Sequence, residues 1–184
     1  MKPLLLHTCC APCSAAIIEW LLADGWLPTL FYCNPNIFPR AEYDIRKDEC
    51  TRYAEKLGLR ILDGDYSHDE WLSRVAGMEH EPERGRRCLE CFKIRLLRSA
   101  HMAAETDIRV FATTLASSRW KDISQISEAG RWASAEATAD GKQAEFWDRD
   151  WRKGGLYERR RELLAENGFY NQQYCGCEFS IRKP

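Results

Sequence analysis

Six of the nine cysteines in this 184-residue chain fall in three tight pairs: Cys9 with Cys10, Cys88 with Cys91, and Cys175 with Cys177. Cys13 follows close behind the first pair. Thiols grouped in short clusters far apart in sequence suit a single metal or redox centre whose ligands come from several loops. Cysteines that only fill a core are scattered singly through apolar segments, as Cys33 and Cys50 are here.

Each cluster has its own chemistry. HTCCAPCS, residues 7–14, joins an apolar strand to a helix. A helix N-terminus favours thiolate, the form that attacks and ligates. Adjacent cysteines on a regular strand point to opposite faces, whereas in a turn both can converge. Two small buried hydrophobes are the plain alternative, but Cys13 and two further pairs accompany them. Reading CAPC as a thioredoxin-like C-x-x-C leaves Cys9 and both other pairs unexplained. RCLEC, residues 87–91, sets Cys88 and Cys91 three apart, on one face of a helix. C-x-x-C is also half of a common metal site, with two buried helix cysteines as the alternative. In YCGC, residues 174–177, Gly176 lets the backbone bend enough to bring Cys175 and Cys177 together. A disulfide across one residue closes a very small ring and is easily reduced, which suits an electron-donating dithiol. A pair of metal ligands is the alternative there. Soft thiolates with few histidines favour zinc or an iron–sulfur cluster. Structural zinc sites typically use two C-x2–4-C knuckles. One C-C, one C-x-x-C and one C-x-C depart from that pattern and favour a cluster ligated from distant loops.

Other segments carry weaker signals. Arg84, Arg86 and Arg87 offer either a phosphate contact or a solvated basic loop. NPNIFPRAEYDIR, residues 34–46, reads as a turn followed by a solvated helix. TTLASSRWKD, residues 113–122, presents hydroxyls and a lysine after a strand and could cradle an anion, without a Gly-rich P-loop. Trp147, Trp151, Phe169 and Tyr170 lie among Arg152, Lys153 and the run Arg159, Arg160, Arg161. That interleaving suits RNA stacking and phosphate contact. The alternative is an exposed helix face in which the arginines pair with Glu158 and Glu162.

The elements that must position these groups alternate. Strands are expected at 4–7, 29–33, 60–62, 109–113 and 144–147, and helices at 15–23, 41–57, 70–75, 87–105, around 123–132 and 156–167. Residues 77–85 read as a polar loop, 133–142 as a mobile loop, and the tail as irregular. Such alternation predicts an α/β fold, a parallel sheet with helices on both faces. In open parallel sheets ligands gather at the carboxyl ends of strands, which places the site at the 9–14 turn. With no repeat and no linker, one domain over residues 1–184 is expected.

Composition narrows the class. The apolar fraction is 45% and the net charge −1, so any nucleic acid must be held by a local basic patch. No apolar run is long enough for a transmembrane helix. The start MKPLLLHTCC lacks the features of a signal peptide. A cytoplasmic protein with reduced thiols is expected, and an odd cysteine count argues against a disulfide scaffold.

Taken in order, LLLHTCCAPCS, NPNIFPRAEYDIR, RCLEC, FATTLASSRWKDISQI and QQYCGCEFS resemble the QueH family of epoxyqueuosine reductases, from residue 4 to residue 180. The resemblance implies a cytoplasmic, cobalamin-independent oxidoreductase of tRNA processing. It would reduce epoxyqueuosine to queuosine at the wobble position of tRNAs for His, Tyr, Asp and Asn, the last step of queuosine biosynthesis. It also implies a three-layer, Rossmann-like fold akin to adenine-nucleotide hydrolases, with the iron–sulfur site at the strand carboxyl edge. A [4Fe–4S] cluster would be held by Cys9, Cys10, Cys88 and Cys91, and some members carry an additional iron ion. Cys13, at a position that varies between Cys and Asp in the family, is a further candidate metal ligand. Cys175 and Cys177 would be the catalytic, redox-active pair, able to form a disulfide bond and re-reduced by an electron donor protein. Removing an epoxide oxygen takes two electrons and two protons. An accessible iron could polarise the oxygen, the dithiol could supply the electrons, and Tyr43, Asp44 and Lys121 are candidate proton donors. Two other classes compete. A tRNA-thiolating PP-loop-like enzyme should need ATP, and its SGGxDS-type loop is absent; a zinc-binding interaction module would be colourless and catalytically silent.

Overall fold

The computed structural model describes residues 1–139, 141 and 143–181. Five strands, β1 (Lys2–Thr8), β2 (Trp26–Tyr32), β3 (Ile61–Asp63), β4 (Val110–Thr113) and β5 (Glu145–Phe146), form one sheet in the order β3-β2-β1-β4-β5. Every pairing is parallel; Leu5 lies between Thr29 of β2 and Phe111 of β4. Leu4, Leu5, Leu6, His7 and Thr8 are all buried, the continuous run expected of a strand covered on both faces.

The helices are α1 (Ala11–Ala23), α2 (Arg40–Lys56), α3 (His68–Arg74), α4 (Arg86–Glu105), α5 (Ile123–Ala139) and α6 (Leu156–Asn167). Right-handed crossovers decide where they lie. The steps from β1 to β2 and from β2 to β3 run one way along the sheet, so α1 and α2 share a face, and α6 packs on α1. The return to β4 and the step to β5 run the other way, so α4 and α5 pack together on the opposite face. The strand order therefore reverses at β1, and a crevice opens between the carboxyl ends of β1 and β4.

The expected α/β sheet with helices on both faces is observed, and residues 156–167 are helical as expected. One expectation fails. Residues 133–139, expected as a mobile loop, continue α5, while positions 140 and 142 lie outside the described residues. Their small size is a packing device rather than a loop signal. Ala129, Ala133 and Ala137 recur four apart, fully buried, and alanine is the best helix former. With Ala100 and Ala103 of α4 equally buried, small side chains let the two helices approach closely.

Gly130 on α5 meets β5 in the same way: a Cβ there would sit 2.2 Å from the Phe146 ring. Helix propensity favours alanine by about 1 kcal/mol, but overpacking costs about 1–3 kcal/mol, so the clash should win. Gly130→Ala is expected to destabilise by roughly 1 kcal/mol in urea unfolding, and to become stabilising in a Phe146→Ala background, where the ring is gone.

Candidate metal and redox centre

β1 ends and α1 begins within the TCC turn. Cys10 is the α1 N-cap, with extended backbone (φ −170°, ψ 159°), and Pro12 pre-sets the first turn. This geometry aims Cys9, Cys10 and Cys13 together, their Sγ atoms all within 4.8 Å of one another. Three convergent soft donors can hold a metal ion. The Cys9 N–H donates to Thr114 Oγ1 at 3.3 Å, tying the end of β1 to the turn after β4 across the crevice.

Cys88 and Cys91 lie in the first turns of α4, on one face with Arg95. They line one small cavity with Cys175, Cys177, Asn36 and Trp71. The Arg84 N–H donates to Cys88 Sγ at 3.3 Å. Arg95, one turn below Cys91, donates to Asn34 Oδ1, and Asn34 Nδ2 donates to the Thr8 carbonyl at 3.0 Å. That chain links α4 to the end of β1, so the second thiol pair is placed relative to the first.

The third pair arrives on the tail, which α2 grips. The buried Arg46 guanidinium pairs with Glu42 at 2.7 Å and donates to the carbonyls of Tyr174 (3.2 Å) and Cys175 (3.3 Å). The Tyr170 N–H donates to Glu49 Oε1 at 2.6 Å and its hydroxyl to Glu42 Oε2 at 2.9 Å. The Phe38 N–H donates to the Gly176 carbonyl at 2.8 Å, and His68 bridges the Pro35 carbonyl and the Glu178 carboxylate. Helix α2 is thus not the solvated helix expected from its sequence: Glu42, Arg46 and Glu49 are buried against the tail.

The thiols stand in two groups, Cys9 with Cys10 and Cys13 at the end of β1, and Cys88 with Cys91 in one cavity with Cys175 and Cys177. Burial alone would lower the Lys121 ammonium, but Cys175, Cys9 and Cys13 outweigh it and raise its pKa. One cation therefore lies within electrostatic reach of the first thiol cluster and the tail. Hydrogen bonds from Cys10 and Cys13 hold the Cys9 thiol well below its usual range, whereas burial pushes Cys10 up. Burial also raises Cys88 to about 11, Cys177 to about 12, and Cys91 in the same direction. Thiols held protonated by burial must release protons when they ligate a metal. Beneath the site, burial and then Arg95 lower His7 to about 3, so it is neutral. Its Nε2–H donates to the Cys33 carbonyl at 3.0 Å and Nδ1 accepts from the Thr113 hydroxyl at 2.8 Å, a rigid floor under the TCC turn.

The surroundings fit a sulfur-rich anionic group. Trp71 Nε1 and Arg95 Nε are buried donors that complete no full hydrogen bond, and both side chains are directed at the Cys91 thiol. Gln172 Nε2 donates to Cys10 Sγ at 3.0 Å and approaches Cys13 Sγ at 3.7 Å, while its Oε1 is buried and unpaired. N–H groups aimed at thiolates or sulfides suit such a group better than an empty apolar core.

Several sequence readings resolve differently. Arg87 is buried and donates to the carbonyls of Met78, Glu79 and Glu81; Arg86 pairs with Glu81; Arg84 donates to the carbonyls of Arg119 and Trp120. They organise the 77–85 loop instead of waiting for phosphate. Trp151 and Phe169 are core residues and Arg159 pairs with Glu19, Glu162 and Glu166, which leaves Tyr170 as the exposed aromatic of that segment. Among the proton-donor candidates, the Tyr43 hydroxyl donates to Asp63 and Asp44 pairs with Arg40, whereas the charge of Lys121 is stabilised by Cys175, Cys9 and Cys13. Cys33 and Cys50 are buried packing residues as expected. The supporting roles of Gln172, Thr114, Asn34 and Arg95 carry no sequence signal, because each acts through a partner distant in the chain.

Comparison with known proteins adds independent findings. A family model described as "Epoxyqueuosine reductase QueH" matches residues 4–183. A protein of that name from Histophilus somni is 47% identical over 97% of this chain and 72% of its own length. Another, from Acinetobacter baylyi, is 45% identical over 97% of this chain and 80% of its own. Among solved structures, a predicted subunit of tRNA methyltransferase from Methanocaldococcus jannaschii aligns with a TM-score of 0.56 at 15% identity, over 90% of this chain and 75% of that one, which shows a shared fold.

The tail's position depends on Gly176, whose φ of +113° excludes most side chains and whose Cβ would lie 2.9 Å from Ile37 Cγ1. Gly176→Ala should cost roughly 2–4 kcal/mol. The check is urea unfolding together with thiol titration, in which the normally buried Cys177 should react faster than in the unsubstituted protein.

Proposed function

The chain belongs to the epoxyqueuosine reductase QueH family, and from that premise we propose that its thiol-lined crevice reduces the epoxide of epoxyqueuosine to the alkene of queuosine at the wobble position of tRNA. The observation that supports this reading is the gathering of thiols: Cys9, Cys10 and Cys13 converge at the end of β1, while Cys88 and Cys91 share a cavity with Cys175 and Cys177. One domain over residues 1–184 carries the site. The substrates are the tRNAs for His, Tyr, Asp and Asn, and the setting is the cytoplasm. No helix among the described residues is long and apolar enough to cross a membrane.

Cys9, Cys10, Cys88 and Cys91 would hold a [4Fe–4S] cluster, which an additional iron ion would accompany, and Cys13 beside Cys9 and Cys10 is a further candidate metal ligand. When bound, the cluster supplies single-electron transfer and a Lewis-acidic iron. The protein does the rest. Trp71, Arg95 and Gln172 direct N–H groups at the sulfurs, which favours the reduced, more negative state. Lys121 places a fixed positive charge where the epoxide oxygen gains negative charge as its C–O bond breaks. Epoxide removal consumes two electrons and two protons and releases water. Oxidation of the Cys175–Cys177 dithiol to a disulfide yields two electrons and two protons, and an external donor protein restores it. The tail clamp of Arg46 and Glu42 keeps that dithiol beside the centre.

Anaerobic purification should give a brown protein with about four irons and four sulfides per chain for the cluster, and about five irons where the additional ion is also bound. Serine at Cys9, Cys10, Cys88 or Cys91 should strip most of the iron. Cys175→Ser and Cys177→Ser should keep iron and colour while turnover falls to background; retained turnover would remove the dithiol from the reaction. A colourless, zinc-loaded protein after anaerobic reconstitution would return the zinc module to first place.

A further inference from the structure

Among the described residues, Trp120 is the large apolar side chain most open to solvent, at 78% exposure. One exposed aromatic is ordinary; the way this one is held is not. Arg84 donates from Nε to the Trp120 carbonyl and from Nη2 to the Arg119 carbonyl, both at 3.0 Å. Gln125 Nε2 in turn donates to the Arg84 carbonyl at 2.8 Å, and the Trp120 N–H donates to Ser118 Oγ at 3.3 Å. The backbone is fixed on both sides of a ring that contacts little protein. Arg84 also donates its own N–H to Cys88 Sγ at 3.3 Å, and the Ser117 hydroxyl of the same turn donates to the Cys13 carbonyl at 3.5 Å, so Trp120 stands on the rim of the crevice.

The rim is also cationic. The Arg119 guanidinium lies over the Tyr157 ring, 3.7 Å from its centroid, and Arg160 of α6 adds a positive charge that acts on Cys13. Of the nearby acids, Asp122 is engaged by the N–H and hydroxyl of Ser124. A rigid, solvent-facing indole among arginines matches a nucleobase with its phosphates.

We propose that Trp120 stacks on the base beside the modified nucleotide of the anticodon loop. This rests on the reading of tRNA as substrate. A base that undergoes chemistry must leave its stack to enter the crevice, and the indole then takes the place it vacates against its neighbour. Arg119 and Arg160 meet the flanking phosphates. Trp120 is thus a positioning residue that holds the loop while the thiol centre holds the reacting base.

The test is the affinity of the anaerobically purified protein for a fluorescently labelled anticodon stem-loop RNA, read by anisotropy across a salt series, with iron content checked in each variant. Trp120→Ala should bind about tenfold or more weakly, Trp120→Phe within about threefold of wild type, and the salt slope should stay the same because no charge is removed. RNA should quench tryptophan fluorescence in the wild type and do so far less in Trp120→Phe. Wild-type affinity in Trp120→Ala, or undiminished quenching in Trp120→Phe, overturns the stacking role and leaves the tRNA reading standing. A wild-type protein that binds no anticodon RNA overturns the tRNA reading and the stacking role together.

Discussion

A parallel sheet whose strand order reverses at its central strand must leave a crevice at that reversal, and the rest of this molecule is arranged around that constraint. β1 pairs with β2 on one side and β4 on the other, so the chain leaves β1 toward one face and β4 toward the other. The TCC turn fills one wall, the turn after β4 the other, and the hydrogen bond from Cys9 to Thr114 spans the two. The crevice is built of backbone and buried apolar residues, which makes it rigid before any ligand arrives.

Gathering thiols and cations there is costly without a guest. Buried thiols held above their usual pKa, and a buried indole N–H and guanidinium nitrogen that complete no full hydrogen bond, are each unfavourable alone. All of them become favourable around an anionic, sulfur-rich group. The alanine seam between α4 and α5 and the apolar run of β1 supply buried packing that offsets this cost. The tail is the least self-sufficient part. It has no regular secondary structure before its last short turn, and it is fixed by the ion pair of Arg46 with Glu42, by Glu49 and by His68.

The sequence by itself determined a great deal. Strand–helix alternation specified the parallel α/β sheet, because crossover helices are the usual way to join parallel strands. The thiol pairs marked the centre, because cysteines at such spacings have few structural uses. The motifs also carried the family, which the close relatives bear out. Only the tertiary structure decided what the polar residues do. Arg84, Arg86 and Arg87 read as either a phosphate contact or a solvated basic loop, yet they bind carbonyls and a carboxylate within the protein. Arg46 read as a solvated helix residue, yet it is buried under the tail. Residues 133–139 read as a loop because small residues look alike in a loop and in a tight helix seam. Trp120 was one tryptophan among seven until the fold buried Trp71 and Trp151 and left it in water. The physical reason is the range of the forces. Periodicity and metal-ligand spacing are local and survive in the linear chain, whereas a hydrogen-bond partner or an exposed face is fixed only when segments distant in sequence meet.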